Sequence, residues 1–179
     1  MPRLFTGLAV PPEIAAALQA HRGGLPGARW IEPSDYHVTL RFLGDIDAPT
    51  ADDFLDLLSE MRPRAPLTVT LEGIGSFGGD RPRALYAAVR PTSELADLQA
   101  EQERLVRRAG VAPEKRKFTP HVTLARLKRE ATPEGVAMYL SQGPVFAALA
   151  FIADRVTVFS ARESTGGGPY VAEAEFPFA

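Results

Sequence analysis

Two identical tetrapeptides, His37-Val38-Thr39-Leu40 and His121-Val122-Thr123-Leu124, carry the side chains best suited to chemistry. An unperturbed imidazole titrates near ~6.5, so two of them can supply a neutral base and a protonated acid at the same neutral pH. One can take the proton of an attacking water while the other hands a proton to a departing oxygen. Threonine hydroxyls beside them can donate hydrogen bonds to the non-bridging oxygens of a phosphate and stabilise charge that builds there. The reaction these residues suit is hydrolysis of a phosphodiester, and it needs no metal and no cofactor.

The likeness extends beyond the tetrapeptide. Residues 36–44 and 120–128 are identical at five of nine positions. In a strand, alternation puts His37 and Thr39 on one face with Val38 and Leu40 on the other, and the second copy behaves likewise. Each strand therefore offers one imidazole and one hydroxyl to a cleft and its aliphatic residues to a core.

The elements that must position these strands follow from the hydrophobic pattern. Strands are predicted at 4–10, 36–43, 67–74, 84–89, 121–126, 145–152, 155–159 and 170–176, where β-branched and aromatic residues alternate or run together. Helices are predicted at 12–21, 49–61, 93–108 and 133–141, three with proline in the first turn. Each histidine strand is preceded and followed by a helix. The order favours one α+β domain over residues 1–179 made of two related halves.

Composition bounds the partners. The chain has 179 residues, 45% of them hydrophobic, enough for a core, and a formal charge of −2, which argues against coating duplex nucleic acid by bulk electrostatics. Cysteine is absent, which excludes thiolate nucleophiles and cysteine metal sites, and the three histidines lack a clustered carboxylate set for a metal. Neither a signal-like segment nor a membrane-length apolar run is expected, so the simplest expectation is a cytoplasmic protein with no membrane contact.

With these motifs the chain resembles the 2H phosphoesterases, most closely the RNA 2′,3′-cyclic phosphodiesterases also called 2′-5′ RNA ligases. The resemblance rests on Arg3-Leu4-Phe5, on Trp30 to Pro33 leading into His37 to Gly44, on Pro82 to Ala87, on Phe118 to Arg126, and on Ser160 and Tyr170. Tyr86 stands where the family is expected to carry tryptophan. The resemblance implies a bilobal, pseudo-twofold fold, with two antiparallel-rich sheets facing a central cleft and helices outside. It implies that His37 is the proton donor to the leaving O3′ and His121 the proton acceptor from water. Thr39 and Thr123 then bind phosphate, and the product is a 2′-phosphomonoester. The implied partners are RNA 3′ ends or nucleoside 2′,3′-cyclic phosphates, with no obligate protein partner.

Arg126 matches a substrate-binding arginine of that family, but plain alternation sets it on the Val122 and Leu124 side. The strand must end or bulge before it can reach the cleft. Arg41 has the parity of His37 and Thr39 and is the second candidate. The basic cluster of Lys115, Arg116, Lys117, Arg126, Lys128 and Arg129 can steer a phosphate backbone, although charged loops are commonly just solvated. His21, at a predicted helix end, reads as structural. The glycines at 73, 75, 78 and 79 lack the Lys-Ser/Thr of a nucleotide-binding loop and read as a hairpin or rim, and Gly166 to Pro169 reads as a turn. Phe77, Tyr86 and Phe118 suit either base stacking or core packing. Two alternatives share the motifs: an esterase for another small substrate, such as ADP-ribose cyclic phosphate or 2′-5′ oligoadenylate, and a non-catalytic RNA-end binder.

Overall fold

Two β-α-β-α units follow one another along the chain, and their histidine strands meet at the centre of one sheet. The computed structural model describes residues 3–143, 146–161 and 168–179. The first unit comprises strand β1 (Arg3–Ala9), helix α1 (Pro12–Gln19), a short strand β2 (Ala28–Trp30), strand β3 (His37–Asp45) and helix α2 (Ala48–Ser59). Strand β4 (Leu67–Phe77) leads to the second unit, strand β5 (Ala84–Val89), helix α3 (Ser93–Arg108), strand β6 (His121–Leu127) and helix α4 (Pro133–Gln142). Strands β7 (Leu149–Ala153), β8 (Arg155–Ala161) and β9 (Tyr170–Pro177) complete the sheet.

The strand order is β7-β4-β5-β6-β3-β1-β8-β9, with β2 on β6, and neighbouring strands run antiparallel throughout the described residues. The two sheets expected from the resemblance are thus two halves of one sheet. They join through a single pair, Val38 opposite Val122, both fully buried. A pseudo-twofold relation runs through that pair. The amide of Val10 donates to the Tyr36 carbonyl at 3.1 Å, and the amide of Val89 donates to the Pro120 carbonyl at 3.2 Å, so the residue before each histidine is held in the same way.

Helices α2, α3 and α4 start where the sequence supplies an acceptor for the first free amides, whereas α1 starts at a proline with no side-chain cap. The Asp47 side chain accepts from the Thr50 amide at 2.8 Å, Thr92 from Leu95 at 3.2 Å and Thr132 from Gly135 at 3.0 Å. Each such cap stabilises its helix by about 1 kcal/mol. Helix α3 lays Leu95 and Leu98 into the cluster that also holds Val38, Leu40, Val122 and Leu124, so the second unit's helix covers the junction. Further along, Leu105 and Val106 pack with Phe54 and Leu58 of α2.

Three differences from the sequence expectation concern the site. Strand β2 has no counterpart among the predicted strands, since three residues are too few to show a period. Strand β4 continues through Gly73 and Gly75 to Phe77, and the turn comes after Phe77. The predicted strand at 145–152 begins at Leu149; Val145 lies outside the described residues, as do Gly166 and Gly167 of the predicted turn. Among the described residues, no helix is long and apolar enough to cross a membrane.

Candidate active site

Both histidines open onto one cavity of about 320 Å³ that is also lined by Thr39, Thr123 and Arg126. Each imidazole is fixed by the carbonyl two residues before it: His37 Nδ1 lies 2.9 Å from the Asp35 oxygen, and His121 Nδ1 lies 2.7 Å from the Thr119 oxygen. A carbonyl only accepts, so each Nδ1 carries a hydrogen. That leaves Nε2 as the nitrogen that can take or give a proton. In the His37 half the Thr39 hydroxyl sits 2.9 Å from Nε2 and donates to it when the ring is neutral. Among the described residues, Thr123 makes no matching bond to His121.

Aromatic rings set the pitch of both imidazoles. Phe5 lies at 4.7 Å from the His37 ring, Phe159 at 5.6 Å, and Tyr170 meets it edge-on at 5.1 Å. His121 is flanked by Phe77 at 4.9 Å and Tyr86 at 5.5 Å, and those two rings stack on each other at 4.2 Å. Tyr86 lies opposite Gly75, where a Cβ would fall 2.6 Å from the Tyr86 hydroxyl oxygen, so the glycine makes room for the ring behind His121. Tyr86 lines neither of the cavities that open at His121. Its ring backs His121, and a substitution there reaches the substrate through the histidine.

Burial lowers both imidazole pKa values, because the charged form loses hydration. For His37 the shift is down to about 4; its bond to the Asp35 carbonyl opposes the shift, while the charges of His121 and Arg126 add to it. His121 is lowered in the same direction, opposed by the Thr119 carbonyl and helped by Arg126. At neutral pH the two imidazoles are therefore neutral bases beside the Arg126 guanidinium. A phosphodiester anion placed among them restores the proton that acid catalysis needs.

A bulge in each strand decides which arginine faces the cavity. In β6, the partners of β5 jump from Thr123 to Ala125, so Leu124 is the extra residue; Ala125 turns inward and the exposed Arg126 turns to the cleft. In β3 the partners of β1 jump from Thr39 to Arg41, with Leu40 as the extra residue. The same inversion carries Arg41 inward, to 5% exposure, and points Phe42 at the cavity instead. Arg41 is held by the Glu103 carboxylate and donates to the carbonyls of Phe42 at 2.5 Å and Ala112 at 2.6 Å. It does not line the cavity that holds both histidines and borders only the adjoining one on the His121 side, so the sequence expectation that Arg41 shares the face of His37 and Thr39 is corrected. Alternation fails there because the bulge reverses the parity on which it was based.

Asp35 lines the cavity without having carried a signal in the sequence, whereas Arg3, Phe5, Phe42 and Tyr170 belong to the segments that carried the resemblance but had no role assigned there. Asp35 acts twice, since its side chain also accepts from the Tyr170 amide at 3.2 Å and so ties β9 to the His37 loop. His21, by contrast, is buried near Phe146 at 5.2 Å, away from the other two, in keeping with a structural role. Among the described residues, no three His, Asp or Glu side chains gather as a metal site requires.

The two-lobed sheet with a histidine and a threonine from each central strand is a fold shared with solved structures. It matches a Thermus thermophilus protein at TM-score 0.79 and 25% identity over 98% of this chain and 97% of that one. The apo form of E. coli LigT matches at TM-score 0.79 and 24% identity, with the same coverages, and shows the fold alone. The family model of the 2′-5′ RNA ligase superfamily matches residues 10–165, and the chain belongs to that superfamily. Among its relatives is the RNA 2′,3′-cyclic phosphodiesterase of Aeropyrum pernix, 37% identical over 59% of this chain and 60% of the relative. That of Bacillus subtilis is 34% identical over 70% and 71%. The matches span 60% and 55% of the lengths of the Aeropyrum and Aquifex aeolicus relatives.

Proposed function

We propose that the protein is a phosphodiesterase that opens 2′,3′-cyclic phosphates at RNA 3′ ends to 2′-phosphomonoesters. The observation that carries this reading is the pair of imidazoles, each locked through Nδ1 to a carbonyl, whose rings share a cavity with Thr39, Thr123 and Arg126. The names of its relatives at 34% and 37% identity support the same substrate.

In this mechanism His121 takes the proton of a water whose oxygen attacks phosphorus, the P–O3′ bond breaks, and His37 delivers its proton to O3′. The assignment of donor and acceptor follows the family resemblance. Thr39 and Thr123 donate to non-bridging oxygens, for which the Thr39 hydroxyl turns away from Nε2, and the Arg126 fork neutralises their growing charge. With the 5′-hydroxyl of a second strand in place of water as the entering group, the same proton transfers form a 2′-5′ linkage.

The test is hydrolysis of an oligoribonucleotide ending in a 2′,3′-cyclic phosphate, in EDTA, by wild type, His37→Ala and His121→Ala. Conversion to a 2′-phosphate that disappears in both variants is expected. A folded wild type that leaves the cyclic end intact overturns the reading.

A further inference from the structure

A second cavity, of about 430 Å³, opens on the His121 side and shares Thr39, Phe42, Arg116, His121 and Arg126 with the first. The two cavities therefore adjoin along these residues. Its other walls come from the start of β5, at Arg83, and from the loop before β6, at Lys117 and Phe118.

The charges of this groove are unevenly matched. Arg41 is neutralised by Glu103, and Arg116 by Glu114, itself a lining residue. Arg83, Lys117 and Arg126 make no ion pair with any described residue, and all three are exposed. Three uncompensated cations on one cavity, of which Arg126 also lines the reactive site, attract a chain of anions that begins there. On the His37 side the wall is of another kind: Arg3 is paired with Asp45, and Asp35 contributes a carboxylate. Of the basic cluster seen in the sequence, only Arg116, Lys117 and Arg126 line either cavity; Lys115, Lys128 and Arg129 do not.

We infer that this groove is the track for the single-stranded RNA leading to the reactive end, with Arg83 and Lys117 contacting phosphates 5′ of the terminal nucleotide. The inference rests on the proposed function and deepens it by giving the substrate a direction across the site: the cyclic phosphate lies between the histidines, and the strand leaves over β5 and β6. It makes the natural substrate an oligomer and the mononucleotide a poorer one.

The experiment pairs binding with turnover. Affinity for a fluorescent ten-nucleotide single-stranded RNA ending in a 2′,3′-cyclic phosphate is measured by anisotropy against salt, for wild type, Arg83→Ala/Lys117→Ala and the control Lys128→Ala/Arg129→Ala. Hydrolysis of the same oligomer and of a nucleoside 2′,3′-cyclic phosphate is followed alongside. The groove variant is expected to bind the oligomer roughly tenfold more weakly at low salt, with a salt slope shallower by about 1.4, as two lost single-strand phosphate contacts require. The control should bind like wild type, and mononucleotide hydrolysis should be unchanged in both. Equal oligomer affinity in wild type and groove variant overturns the track. Loss of affinity without turnover of either substrate by wild type overturns the proposed hydrolysis and leaves the track standing.

Discussion

The His37 half and the His121 half of the site are built on one backbone plan and diverge one residue past the bulge. Both hold the imidazole by the carbonyl two residues back, and both insert a leucine, Leu40 or Leu124, as the extra residue. Beyond that, the first half has Arg41 inward and Phe42 outward, and the second has Ala125 inward and Arg126 outward. Repetition supplies two imidazoles, each held at Nδ1 in the same way. The departures from repetition distribute charge: Arg126, in the place of Phe42, faces the cavity, while Arg41, in the place of Ala125, joins β3 to α3 and the loop after it.

Removing each imidazole in turn tests whether the halves are equal in chemistry as well as in shape. His37→Ala and His121→Ala should each lower kcat by about 10²- to 10⁴-fold, in line with single acid or base contributions, while circular dichroism shows both folded. A large loss in only one variant would mean that the halves are alike in shape alone.

Next come the two arginines. Arg126→Ala should lower kcat/KM by about 10- to 100-fold with little change in melting temperature, because an exposed guanidinium is lost from a phosphate contact. Arg41→Ala should do the reverse. It leaves Glu103 without its buried partner and should cost about 3 kcal/mol of stability in denaturant unfolding, with turnover per folded molecule nearly preserved. Kinetic equivalence of the two would undo the contrast drawn from the bulges.

A pH profile reads the same contrast through the imidazoles. Both have lowered pKa values in the free protein, so the kcat/KM bell should be centred below pH ~6.5. The kcat bell, which reports the complex with its phosphate anion, should lie at higher pH. Arg126→Ala should move the kcat/KM bell upward, since its charge lowers both groups.

A more modest change is expected in stability. A histidine held neutral in the fold binds fewer protons there than in the unfolded chain. The stability His37 contributes is therefore complete above its unfolded value of 6.5 and is lost as pH falls toward about 4. Urea unfolding at several pH values should show a decline over that window, and His37→Gln should flatten it.

Much of the site is legible in the order of the amino acids. The repeated His-Val-Thr-Leu names both imidazoles and both threonines, because a period-two pattern fixes which residues share a face and a duplication fixes that two such faces exist. The helix starts are legible too, since proline in the first turn marks three of them, and α3 runs over the residues its period predicts. Arg126 is readable only conditionally, as a residue that requires a bulge. Arg41 is misread for the same cause: a single inserted residue reverses every later side chain in a strand, and nothing in the local composition around Leu40 or Leu124 signals one.

Residue types at short spacing suffice to show two imidazole–hydroxyl strands, and they suit a chemistry of proton transfer at a phosphate. They do not establish that the strands meet edge to edge at Val38 and Val122, that Arg126 and not Arg41 shares their cavity, or that Phe5, Tyr170, Phe77 and Tyr86 wall the rings; the tertiary structure decides these. Register across a sheet and contacts between residues far apart in the chain arise from the joint packing of all strands and helices, and no local window contains that information.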